Sequence, residues 1–359
     1  MKISRRTSMF VTLSLLTSLV VGFNAANAAP TNLPTPPDQA IGYWTEERLQ
    51  SAQPIELLVD SKTKVGTIHV SPSRTSQTAT TSVPTVDNWP DGNPLAQTAV
   101  GKVFFSIGRS NYVCSGALAK DSLPGQATVL TAGHCVWNQA VKGAFVTNWA
   151  FIPNYDDGSR VKWYSSALVV RKEFASQSTF NLTALANDWG FAVLYPNSKN
   201  KLNPSYLPDD CKVVNNAPVN PCSLESNSYI FNSGGFSDAG EKSQAFGYPQ
   251  ASPYDGLSLR YAYASIFNDP GTAAVSTDVT TATTWGMSSN MTGGASGGPW
   301  LRGSPSNTSD NSSSTLSSVN SYKYNSDTTK MYGPKFGSRT LATWNAALNG
   351  LTGNTIVGP

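Results

Sequence analysis

Histidine is almost missing from this chain: only His69 and His134 occur among its 359 residues. A histidine-rich metal centre is therefore excluded, and any imidazole chemistry has two possible homes. Charge is scarce too, with Asp, Glu, Lys and Arg at 13% of residues, about half the usual share of roughly 25%. The net charge of +3 dissolves when it is located along the chain. Residues 1–28 carry Lys2, Arg5 and Arg6 with no acid, residues 29–99 four bases against seven acids, and residues 100–359 eighteen against fifteen. None of these forms the basic stripe that nucleic acid requires, so no nucleic-acid partner is expected. Long apolar runs are also lacking. Met9–Phe23 spans fifteen residues, short of the roughly 20 of a membrane-crossing helix, and no membrane span is expected.

What is present points to export. Lys2–Arg6 is a basic leader, Met9–Phe23 its apolar centre and Ala26-Asn27-Ala28 a small-x-small cleavage site. That layout predicts a signal peptide over residues 1–28 rather than a buried helix, and an extracellular product. Arg5-Arg6 after Ser4 leaves twin-arginine and general export both open. In an oxidising compartment four cysteines form two bridges, with three connectivities possible.

With 39% apolar residues the chain can build a sizeable core. Thr45 is placed to cap a short helix with Glu46 and Glu47 in its first turn. Ser71–Pro84 is nearly all Ser, Thr and Pro, which predicts an exposed linker. From Val100 the texture changes to short β-branched and aromatic runs separated by turn residues: Val100–Ile107, Val113–Leu118, Ala127–Ala132, Trp149–Pro153, Ala167–Val170 and Trp189–Leu194. Gln244–Tyr248, Leu257–Ala264 and Pro299–Leu301 continue the series. This spacing predicts an all-β sandwich or barrel. One late helix is expected, capped by Ser338, with Leu341, Trp344 and Leu348 on one face and Gly350 as its stop. The chain divides into a signal at 1–28, a pro-segment at 29–99 and a β-rich body at 100–359.

Three stretches carry chemistry. Val129–Cys135 is an apolar strand ending in His134, Asn187-Asp188 leads directly into the apolar Trp189–Leu194, and Ser296 sits among glycines in Gly293–Pro299. A serine hydroxyl is a weak nucleophile until a positioned base removes its proton. Imidazole suits that task at neutral pH, and a carboxylate fixes its tautomer. Neighbouring glycines let backbone amides turn toward a developing oxyanion. Each stretch alone has a plainer reading: a flexible turn, a strand-start aspartate, a core histidine. Their order and context together favour the chemical one.

Thr131-Ala132-Gly133-His134-Cys135 and Gly294-Ala295-Ser296-Gly297-Gly298-Pro299 are the residues by which the chain resembles the trypsin/chymotrypsin-like serine peptidases. The order His134, Asp188, Ser296 is also that family's, and the likeness covers about residues 100–350. Within the family it looks nearest to the secreted microbial branch that includes the glutamyl endopeptidases. The resemblance implies two antiparallel β-barrels packed face to face with a C-terminal helix. It makes Ser296 the nucleophile, His134 the general base and acid, and Asp188 its orienting carboxylate, with the amides of Gly294 and Ser296 as oxyanion hole. A polypeptide substrate, a monomer, no cofactor and no metal are the matching expectations. The family bridges Cys114 to Cys135, and Cys211 and Cys222 then pair by default.

Two positions depart from the family. Where many members have an aspartate before the serine, to pair with a newly cut N-terminus, this chain has Ala295. Activation by that ion pair is not available, and a cut within about Ser82–Val100 must act otherwise. The base of the primary pocket falls at Asn290, and the histidine by which glutamyl endopeptidases read acids has no counterpart in Ser318–Tyr322. A neutral pocket built by Asn290, Met291 and Asn320 is the expectation. Two rival functions stand beside peptidase: an idle protease fold kept as a binding module or adhesin, and an esterase. The second fails because Gly294–Gly298 leads into a strand at Pro299-Trp300-Leu301, not a helix. Asn181, Asn307 and Asn311 begin glycosylation sequons if the host is eukaryotic and are polar loop runs otherwise, and the Trp149–Tyr155 aromatics are expected in the barrel core.

Overall fold

The computed structural model describes residues 43–71, 86–90, 94–121, 127–139, 144–155, 162–194, 213–214, 217–218, 228–272, 284–306, 311–349 and 353–358. The signal, the Ser71–Pro84 linker after its first residue, Asn307 and the pair Cys211 and Cys222 lie outside the described residues. The first lobe is a closed antiparallel barrel of six strands. These are β3 (Val100–Ile107), β4 (Ser110–Ala119), β5 (Thr128–Thr131), β6 (Thr147–Pro153), β7 (Trp163–Arg171) and β8 (Gly190–Leu194). Pairing runs β4–β3–β6–β7–β8–β5 and closes from β5 back to β4. Large side chains are fully buried on both faces of its strands: Phe151 shares one face with Val103, while Phe104 packs against Trp44 and Phe191 against Trp344 on the other. Trp149 and Tyr155 are buried with them, as expected.

The second lobe is built from β9 (Lys242–Gly247), β10 (Arg260–Ser265), β11 (Phe267–Asn268), β12 (Thr284–Ser288), β13 (Pro299–Arg302), β14 (Thr315–Val319), β15 (Tyr322–Tyr324) and β16 (Asp327–Pro334). It also closes, because two chains bend across its corners. β10 continues past Ile266 into β11, and β14 continues through Asn320-Ser321 into β15. The antiparallel circuit is β9–β10, β11–β12, β12–β16, β16–β15, β14–β13 and β13–β9. A core of Ala245, Trp285, Met287, Met291, Trp300 and Met331 fills it. The fold is therefore all-β with two packed barrels, as the sequence implies.

Before the barrels come α1 (Glu46–Ser51), β1 (Gln53–Val59) and β2 (Gly66–Val70). Thr45 caps α1 by accepting from the Arg48 amide at 3.3 Å, the arrangement read from the sequence. Trp44, Leu49, Ile55, Leu57 and Val59 are buried in the same core as the first barrel. β1 pairs parallel with β4 on one barrel and with β15 on the other, and antiparallel with β2. The C-terminal helix α2 (Ser338–Ala347) lies against β7 and β8. Its cap differs from expectation: the Gly337 amide donates to Thr340 Oγ1 at 3.2 Å, and Ser338 is already the first helical residue. Its buried face is Thr340, Thr343, Trp344 and Ala347, while Leu341 is exposed.

Candidate active site

The serine segment Gly293–Gly298 connects the end of β12 to β13 and bends twice through left-handed backbone, at Gly294 (φ 99°) and Gly297 (φ 81°). A side chain at Gly297 would place Cβ 2.1 Å from Thr131 Oγ1 and 2.4 Å from the Ser115 carbonyl, so glycine is required sterically as well. Internal turns from Ala295 N to Thr292 O at 3.2 Å and Gly298 N to Ala295 O at 3.0 Å coil the segment. Asn320 locks it from behind, its amide donating to the carbonyls of Ala295 at 3.0 Å and Phe246 at 2.8 Å.

Ser115 fastens the same segment to the first barrel. Its amide donates to the Ser296 carbonyl at 2.7 Å, and its hydroxyl donates to the Gly294 carbonyl at 2.9 Å. That hydroxyl also accepts from the Tyr248 amide at 2.9 Å. Ser115 follows Cys114, whose sulfur is bonded to Cys135, so one strand anchors both the serine segment and the histidine turn.

His134 sits in a single 3-10 turn, Gly133–Cys135, directly after β5. Asp188 precedes β8, which pairs with β5, and so the strand ladder carries both residues to one end of the barrel. Asp188 is fully buried and three donors converge on its carboxylate. Oδ1 accepts from the His134 amide at 2.8 Å, and Oδ2 accepts from His134 Nδ1 at 2.8 Å and from the Ser321 hydroxyl at 2.6 Å. With Nδ1 committed to the carboxylate, the free lone pair is on Nε2. Nε2 is buried and has no hydrogen-bond partner. Ser296 is 6% exposed, and the Sγ of Cys135 next to His134 lies 3.8 Å from its carbonyl.

The three pocket residues are placed differently from one another. Asn290 Oδ1 accepts from the Tyr254 hydroxyl at 2.8 Å. Met291 is fully buried in the second-barrel core. Asn320 is fully buried, with its amide on backbone carbonyls and its Oδ1 accepting from Trp300 Nε1 at 2.7 Å. Its polar atoms thus join the serine segment at Ala295 to Phe246 and Trp300 of the second barrel. On β15, burial pushes the Lys323 ammonium below the usual lysine value, opposed by the Glu56 carboxylate 3.3 Å from its Nζ. Tyr322 and Tyr324 on either side donate to the buried Asp269 carboxylate at 2.5 and 2.9 Å, which fixes the strand.

Nothing in the sequence marks Ser115, Ser321 or the bracing role of Asn320. Ser321 falls in a stretch that the sequence offers only for pocket residues, and Ser115 carries no signal beyond its neighbour Cys114. Donor atoms of Cys114, His134 and Cys135 lie within 4.8 Å of one another, but the disulfide consumes both sulfurs as thiolate ligands. Of the two readings of Asn311 the structure favours the unmodified one: its side chain is fully buried, accepting from Tyr229 and donating to Gln244, with no room for a glycan. Among the described residues no helix is long and apolar enough to cross a membrane.

Two β-barrels with a serine segment, a histidine turn and a buried aspartate at their junction define the trypsin-like serine protease class. Among solved structures, the chain is similar to the protease Anisep from Arthrobacter nicotinovorans, with 32% identity and a TM-score of 0.53 over 72% of this chain and 98% of that one. A thermostable serine protease, AL20, from an extremophilic microorganism matches with 29% identity and a TM-score of 0.53, over 71% of this chain and 99% of that one. The chain belongs to this family of serine proteases. No protein-family model matches it, and no curated protein does.

Proposed function

We propose that the chain is a secreted serine endopeptidase that works through an acyl-enzyme. The observation that carries this reading is the buried Asp188 carboxylate holding His134 Nδ1, which leaves Nε2 free as a base beside the Ser296 segment. Nε2 takes the hydroxyl proton as Ser296 Oγ attacks the scissile carbonyl, and Asp188 stabilises the imidazolium. The amides of Gly294 and Ser296 donate to the oxyanion. His134 then returns the proton to the leaving amine, and water repeats the sequence on the acyl-enzyme. Export through the residue 1–28 leader and removal of a pro-segment by a cut within about Ser82–Val100 complete the proposal. No cofactor or metal takes part in these steps.

For specificity, Asn290 gives the pocket base no charge, and a neutral side chain before the cut is the expected preference. Membership of the glutamyl endopeptidase branch would instead require a cation to read acids. A peptide library decides between these, since a sharp acidic preference would transfer that role to Lys323. The enzyme reading itself is tested by Ser296→Ala protein, which should neither label with a fluorophosphonate nor cleave casein. Retained activity in that variant would overturn it.

A further inference from the structure

We infer that residues 53–59 are an internal peptide inhibitor, lying in the cleft between the barrels with its backbone running parallel to both cleft edges. This inference rests on the peptidase reading. β1 joins edges that belong to different barrels. Gln53 and Pro54 pair with Tyr112 and Val113 of β4, while Leu57, Leu58 and Val59 pair with Tyr322, Lys323 and Tyr324 of β15. Between these two pairings the chain passes over the serine segment. The Gly294 amide, half of the proposed oxyanion hole, donates to the Ile55 carbonyl at 3.1 Å. The approach is close enough that a side chain at Gly293 would meet that carbonyl oxygen at 3.2 Å.

Side chains complete the seat. Leu57 is fully buried, and its Cδ1 and the Phe180 Cβ both crowd Gly66, whose amide donates to the Phe180 carbonyl at 2.8 Å. Phe180 in turn stands edge-on to the His134 ring, 6.4 Å between centroids. Glu56 lies beside Gly293 and against the buried Lys323 ammonium at 3.3 Å. β2 folds back and pairs antiparallel along β1, from Val59 opposite Gly66 to Ile55 opposite Val70.

Polarity explains how such an occupant escapes being cut. A peptide paired antiparallel to the same edges would run the other way. Its leaving nitrogen would lie on the β4 side of the carbonyl held by Gly294. In β1 the nitrogen of the Ile55–Glu56 bond lies on the β15 side, toward the second barrel. His134, the group that must protonate it, belongs to the first. The strand thus fills both edges and half of the oxyanion hole while presenting its amide backward. It also supplies a means of latency that needs no aspartate before Ser296. Activation is then withdrawal of residues 53–59, which a cut within Ser82–Val100 would permit.

The test uses the full chain with a fluorophosphonate probe. Charge reversal at Glu56→Lys sets two cations against each other, and Leu57→Ala empties the contact beneath Gly66. Both variants should label at least about tenfold faster than the wild-type chain. A synthetic peptide of residues 52–60, added to the Glu56→Lys chain, should slow labelling again and be recovered uncut. Hydrogen exchange, read on Ser296→Ala versions of each chain, should show protection falling together at Leu57–Val59 and Tyr322–Tyr324. Equal labelling rates in wild type and both variants, with that protection lost, would overturn the inhibitor and leave the peptidase reading standing. Absence of labelling in every chain, with protection lost, would overturn the peptidase reading and the inhibitor with it.

Discussion

At the scale of single residues the site is organised around one carboxylate. Asp188 receives the His134 amide, the His134 ring and the Ser321 hydroxyl, so its two oxygens are held in a fixed direction before any substrate arrives. A hydrogen bond to a charged group contributes about 1.5–3 kcal/mol, and each 1.36 kcal/mol is tenfold in rate. Ser321→Ala should therefore lower kcat by about 10- to 100-fold with KM changed by less than about threefold, because Ser321 acts through Asp188 and not on substrate. Steady-state kinetics on a chromogenic peptide checks this, and an effect confined to KM would show that Ser321 serves binding instead. Asp188→Asn should cost about 10⁴ in kcat through the wrong imidazole tautomer. His134, Asp188 and Ser296 stand out in the sequence as a candidate triad because that chemistry demands those residue types beside strand and glycine signals. Ser115, Ser321 and the bracing bonds of Asn320, a residue the sequence offers only for the pocket, do not, because a bracing serine or asparagine looks like any polar residue until the strands that carry it are paired.

At the scale of elements, short apolar runs set off by turn residues mark the strands. Val100–Ile107, Trp149–Pro153 and Gln244–Tyr248 end within two residues of β3, β6 and β9, which are buried on both faces over most of their length and so read as continuous apolar runs. The late helix lies where the sequence puts it and buries Trp344 as expected, but Leu341 is exposed. Leu341 faces solvent because Thr340 and Thr343 satisfy their hydroxyls locally, on the Gly337 amide and the Arg339 carbonyl, and can be buried in its stead. β1 was hidden for a different reason: its partners are edges of two separate barrels, which no local pattern reveals. The Cys114–Cys135 bond spans 21 residues of sequence and ties β4 to the histidine turn. Loop-closure entropy for that span corresponds to about 3 kcal/mol. A Cys114→Ala/Cys135→Ala chain should accordingly melt roughly 6–12 °C lower, measured by calorimetry under non-reducing conditions. An unchanged Tm would mean that the surrounding strands already fix the turn.

At the scale of the whole molecule, the site exists only where the barrels meet, so whatever fixes β15 fixes the cleft. Tyr322 and Tyr332 stack at 5.2 Å, and Tyr324 packs edge-on to Tyr332 at 4.9 Å. Burial first, and the Asp269 carboxylate second, hold the Tyr322 and Tyr324 phenols well above the usual tyrosine value of 10.0. The same causes push Tyr332 up to about 12. In the unfolded chain these groups lose their protons near the ordinary value, whereas the folded chain keeps them. Stability is therefore intact below about pH 10 and falls as the pH rises above it, because the folded state then binds more protons than the unfolded one. A fully buried phenol such as Tyr322 removes up to about 1.4 kcal/mol of stability per pH unit in that range. Tyr322→Phe keeps the ring but deletes the titrating hydroxyl. Its unfolding free energy, read from urea curves at a series of pH values from about 9 to 12, should fall less steeply with pH than that of the wild type. At neutral pH the variant should be less stable by about 1–3 kcal/mol, since Asp269 loses a donor. Parallel pH slopes in the two proteins would show that Tyr322 ionises freely in the folded state and that Asp269 does not anchor β15 through its phenol.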